Sequence, residues 1–138
     1  MLNIQIKTIP HHFQEYDTVG NYWRDVNNCG AEALEIRVSR MRDRRHEFLV
    51  ALHEMIEAFL CDWRRIPFAK ITRFDIEFER ARRRGESAEP GDSARAPYRR
   101  EHQFAEQDAF PGLLFRTFQD DDDATRFADV LDLPRQQL

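Results

Sequence analysis

The apolar residues of this chain change period once, and that change limits it to a small sheet followed by helices. Leu2, Ile4 and Ile6 alternate with Asn3, Gln5 and Lys7, and Leu34, Ile36 and Val38 alternate with Glu35, Arg37 and Ser39. A period of two sends successive side chains to opposite faces of a half-buried strand. Thr18 to Trp23 supplies a third strand, joined to the later one by the turn-prone Asn27-Asn28-Cys29-Gly30. An antiparallel meander of about three strands is the economical topology. From Arg44 to Trp63, Leu49, Leu52, Ile56, Phe59 and Leu60 follow the spacing of one helix face. Pro67 breaks this helix, and Phe68, Ile71, Phe74, Ile76 and Phe78 predict a second, ending near Arg84-Gly85 with the glycine as C-cap. Residues 85–97 read as a loop, Tyr98 opens a third helix running to about Ala109, and Pro111-Gly112 stops it. Strands first and helices after them define an α+β fold.

At 138 residues the chain suits one compact domain, assigned to residues 1–110, with residues 111–138 as a C-terminal tail of unassigned structure. The run Asp120 to Asp123 lacks the alternating ligands and glycine of an EF-hand loop, so it reads as a solvated stretch or a helix N-terminus. A formal net charge of −4 supplies no global positive field, and the arginine clusters alternate with acids, as in Arg42-Asp43-Arg44. Nucleic acid is therefore not an expected partner. No stretch approaches the ~20 apolar residues of a membrane span, and the first ten residues alternate instead of forming a signal core. The expected location is the cytoplasm, the host's if the chain is phage-encoded, with Cys29 and Cys61 reduced and Cys61 filling the core.

The helix from Arg44 to Trp63 contains His53-Glu54-Met55-Ile56-Glu57, an HExxE where zinc peptidases usually have HExxH. Residues four apart lie one above the other, so His53 and Glu57 can converge on one ion. Glu54 points about 100° round the helix from His53, the place of a general base that takes a proton from metal-bound water. The competing reading is a core-edge histidine hydrogen-bonded to Glu57, with Glu54 in solvent. His102, at the start of the third helix, is available as a further ligand, and Asp75 competes with it as ligand or orients the histidines from behind. His11 and His12 read as surface residues. His46, about 10 Å from His53 along the helix, is too far to share an ion but could line the cleft. Tyr98 reads as a packing anchor or a donor to a developing oxyanion.

The segments IQIKTIPHHFQEYDTVGNYW, LEIRVS, EFLVALHEMIEAFLC, FDIEFE and EPGDSARAPYRREHQFA, in this order over roughly residues 2 to 105, resemble short phage and prophage proteins of unassigned activity. That resemblance implies a zincin-like metal-binding helix and names no substrate. FLVALHEMIEAFL also resembles the FxxAHELGH helix of small zinc peptidases, departing from it at Glu57, where that pattern has its second histidine. A set of His53, Glu57 and His102 would still total two histidines and one carboxylate, with a fourth position for water. The expectation is thus a zincin-like α+β hydrolase of peptide or protein substrates, or of other amides, with a divalent metal, Zn²⁺, held by these ligands and Glu54 as base. By analogy with zincins, Ala33 to Ser39 would pair with an extended substrate. The alternative is a non-catalytic phage-type binding or structural protein whose metal ties its helices together.

Overall fold

The computed structural model describes residues 3–26, 30, 32–82 and 88–109. Its elements are strands β1 (Ile4–Ile9), β2 (Gly20–Val26) and β3 (Glu32–Ser39), then helices α1 (Arg44–Trp63), α2 (Phe68–Ala81) and α3 (Arg99–Gln103). Helix α3 continues into a π-helical turn, Phe104–Ala109, and short 3-10 turns cover His11–Phe13 and Pro90–Asp92. The α+β class read from the pattern is the class observed. The tail 111–138, with its aspartate run, lies outside the described residues, as do Cys29 and the proposed Gly85 cap.

The sheet is mixed, which corrects the expected antiparallel meander. Its order is β1-β3-β2, with β2 antiparallel to β3 and β1 parallel to it. Strand β3 is buried on both faces, at Ile36 and Val38 on one and at Ala33, Glu35 and Ser39 on the other, so it takes the centre. The connection between β1 and β2 crosses the C-terminal end of β3 and is tied there. Gln14 Nε2 donates to Ser39 Oγ at 3.2 Å, Ser39 Oγ donates to the Thr18 carbonyl at 3.1 Å, and the Ser39 N–H donates to the Val19 carbonyl at 2.7 Å. β1 is also more exposed than its alternation predicts, with Ile4 at 37% and Ile6 at 53%, because α1 packs over β2 and β3. With both edges of β3 paired, Ala33–Ser39 cannot receive an added strand, so the expected substrate pairing there is excluded. β2 pairs with β3 alone among the described residues.

Helix α1 has the bounds its pattern predicts. Asp43 caps it by accepting from the Arg45 N–H at 2.9 Å. At the other end the Ile66 N–H reaches the Cys61 carbonyl and the Arg65 N–H the Asp62 carbonyl, a Schellman closure that places Arg65 at φ 58°. Of the predicted leucine-rich arc only Leu49 is buried, however. Val50, Ala51, Ala58 and Cys61 press against Tyr22, Ile36 and Val38, while Phe59 is 60% exposed. Small side chains let the helix approach the sheet closely, so the bulky ones are displaced to its flanks. Each fully buried Ile or Val contributes ~1.5–3 kcal/mol of transfer free energy, which fixes the rotation of α1 and turns His53 and Glu57 inward. Cys61 is fully buried, as expected. Helix α2 stops at Ala81, short of Arg84, because Arg82 is extended and its guanidinium donates to Glu79 and to the Ala88 carbonyl.

Candidate functional site

The buried face of α1 brings His53 and Glu57 beneath the first residues of β2, and α3 delivers His102 to the same point. Glu57 Oε2 lies 2.8 Å from His102 Nδ1 and 3.4 Å from His53 Nε2. The other carboxylate oxygen, Oε1, accepts from the Tyr22 hydroxyl at 2.8 Å. One ligand atom from each of His53, Glu57 and His102 lies within 4.8 Å of the others, and all three residues are buried. These residues could hold a metal ion: two imidazole nitrogens and a carboxylate oxygen form a donor set with spare coordination capacity.

Two glycines make room for this arrangement, and the sequence reading passed over both. A Cβ at Gly91 would overlap the His102 ring at Cγ, Cδ2 and Nδ1, and a Cβ at Gly20 would overlap the Glu54 carboxyl. Glycine in a strand signals such close approach, and that signal was present at Gly20. Tyr22 and Tyr16 were likewise missed. Their hydroxyl contacts join residues distant in sequence, so no local pattern announces them.

The group lines a cavity of about 300 Å³ between the start of β2, α1, α2 and the 89–106 segment. Its wall includes Asp17, Glu54, Glu57, Asp75, Glu89 and Glu106 and, among the described residues, no lysine or arginine. Such a concave acidic wall focuses a negative potential that concentrates cations. Asp75 stands on this wall but outside the three-ligand group. Its carboxylate accepts from Tyr16 at 2.9 Å and from Tyr98 at 2.7 Å. Tyr98 is therefore both the expected packing anchor, 4% exposed, and a hydrogen-bond donor committed to Asp75. His11 lines the cavity, contacting Ser39 Oγ at 3.0 Å and Asp17 at 3.1 Å, which corrects its reading as a surface residue. His12 is exposed, and His46 does not line the cavity.

No family model, curated protein or solved structure matches this chain. Its chemistry is therefore read from the site.

The electrostatics follow from burial and proximity. Burial pushes the Glu54 carboxyl up to about 8, reinforced by the charge of Glu57 and opposed by His53 and His102. Burial acts on Glu57 in the same direction, but hydrogen bonds from His102 and His53 outweigh it and hold that carboxylate down, to about 2. Burial disfavours a charged His102, yet its bond to Glu57 raises it to about 9; His53 is raised for the same reasons. Asp75 is raised by burial to about 7, against the opposing pull of its two tyrosine donors.

These shifts set the stability profile of the metal-free protein. For His102, Glu54 and Asp75 the folded value exceeds the ordinary 6.5, 4.5 and 3.8. Their contribution is complete below those ordinary values and is lost as pH rises through 9, 8 and 7 respectively. Glu57 behaves oppositely: its contribution is present above 4.5 and is lost as pH falls toward 2. In chelator, the melting temperature is expected to peak at about pH 4 and to fall steadily toward pH 9, because Asp75 and Glu54 begin to lose their contribution as soon as Glu57 has gained its own. Thermal unfolding across that range checks this, and a profile rising from pH 5 to 9 would contradict it.

Proposed function

We propose that this protein is a metal-dependent hydrolase of the zinc type, acting on peptide or other amide bonds. The convergence of His53, Glu57 and His102 beside the Glu54 carboxyl, at the wall of one cavity, supports this reading above all. Two imidazoles and one carboxylate suit zinc better than the hard cations that prefer oxygen alone. When bound, such an ion would lower the pKa of water and polarise a substrate carbonyl.

The side chains divide the remaining work. His53 and His102 supply ring nitrogens, and Glu57 supplies the negative charge. Tyr22 fixes the rotation of Glu57 by holding its second oxygen. Glu54 is the proton acceptor. Its carboxyl near 8 without a cation would be drawn down by positive charge nearby, leaving it ionised at neutral pH and able to take a proton from water. Gly20 leaves the volume that the Glu54 carboxyl occupies. The outer edge of β2, beginning at Gly20 beside the cavity, is the strand able to pair with an extended peptide.

A second reading has one observation in its favour. The ligands come from α1 and from the five-residue α3, so an ion could serve only to fasten α3 to the body. Glu54→Gln separates the two. Under the hydrolase reading this variant keeps its metal and fold, while cleavage across a peptide library falls at least ~10²-fold relative to the metal-loaded wild type. Equal cleavage by the variant, or none by the wild type, would favour the fastening role.

A further inference from the structure

The pairing of a histidine with a glutamate four residues later occurs twice in this domain. His53 Nε2 lies 3.4 Å from Glu57 Oε2, and His102 Nε2 lies 3.5 Å from Glu106 Oε1. The two pairs meet through His102, whose other nitrogen, Nδ1, faces Glu57 at 2.8 Å. His102 is 4% exposed, and its Nε2 is buried with no hydrogen-bond partner among the described residues. Buried polar atoms are nearly always paired, so an orphan aimed at carboxylates calls for a ligand. Glu89 completes the setting. Ligand atoms of Glu89, His102 and Glu106 lie within 4.8 Å of one another, distinct from the group around Glu57 except at His102. Glu89 immediately precedes the turn Pro90–Asp92, whose Gly91 lies against the His102 ring.

We propose that Glu89, His102 Nε2 and Glu106 form a second divalent-cation position beside the first. The lone pairs of the two imidazole nitrogens diverge, so an ion on Nδ1 cannot also use Nε2. One nitrogen and two carboxylates make this set harder than the first, suited to zinc or manganese. With the second position alone filled, His102 serves as neutral imidazole. With both filled it ligates through both nitrogens as imidazolate, and the ring proton leaves to solvent. This position does not depend on the first being catalytic.

Titration of the chelator-stripped full chain with zinc, with bound metal counted after equilibrium dialysis, tests the proposal. The wild type is expected to bind about two ions per chain, the double variant Glu89→Gln, Glu106→Gln about one, and His53→Ala about one. One ion in the wild type that survives the double substitution and is lost in His53→Ala overturns the second position and leaves the first intact. One ion lost in the double variant and kept in His53→Ala upholds this position and removes the first. No binding at all overturns both. Cobalt(II) absorption gives a second readout: the wild type is expected to saturate at about two equivalents, and saturation at one equivalent that His53→Ala abolishes overturns the proposal.

Discussion

His102→Ala is expected to abolish stoichiometric metal binding, whereas Asp75→Asn lowers affinity by no more than the ~10 to 100-fold typical of a residue acting from behind the ligands. The reason lies in what each side chain touches. His102 offers Nδ1 beside Glu57 Oε2, while the Asp75 carboxylate is occupied by the hydroxyls of Tyr16 and Tyr98. In the variant, Glu57 keeps Tyr22 and His53 as neighbours, so the metal-free protein should still fold. Its melting temperature should no longer rise when zinc is added, because an ion that binds the folded state adds its binding free energy to stability. Thermal unfolding with and without zinc, together with dialysis, checks both variants. If Asp75→Asn loses the metal and His102→Ala keeps it, the ligand assignment is reversed.

Gly91→Ala is expected to weaken zinc binding without touching a ligand. The added Cβ would stand well inside van der Waals contact of the His102 ring, on the side that includes Nδ1. A ring cannot yield as the end of a flexible chain can, so His102 must leave its position, and zinc affinity should fall at least ~10-fold, about 1.4 kcal/mol. Gly20→Ala provides the contrast. There the nearest atoms to the added carbon are the carboxyl and Cγ of Glu54, a flexible side chain that can swing aside, so metal is retained and hydrolysis falls. Zinc affinity equal to the wild type in Gly91→Ala would show that the His102 ring is not needed where the structure places it.

Helix α1 was legible in the sequence because its signals are local: a helical apolar period from Leu49 to Leu60 and Pro67 beyond its end. The pairing of His53 with Glu57 follows from the same local geometry. Strand direction was not legible, since alternation in Ile4–Ile9 is identical whether β1 runs parallel or antiparallel to β3. Nor did period alone give the rotation of α1. The small residues Ala51, Ala58 and Cys61 decided it through close packing, and the bulky Phe59 was left outside. His102 could be named as a candidate from its residue type, but its approach to Glu57 depends on Gly91 and on the fold between them. Tyr16 and Tyr22 belong to the same class of fact, for their partners Asp75 and Glu57 lie 59 and 35 residues away.

The central claim is that His53, Glu57 and His102 hold a divalent metal. The most direct test is elemental analysis of the protein purified without added metal, beside His53→Ala purified identically. The account expects at least about one equivalent of zinc per chain in the wild type and one equivalent fewer in His53→Ala. A wild type free of metal that also fails to take up zinc on dialysis, or a His53→Ala variant with the same metal content as the wild type, would contradict it.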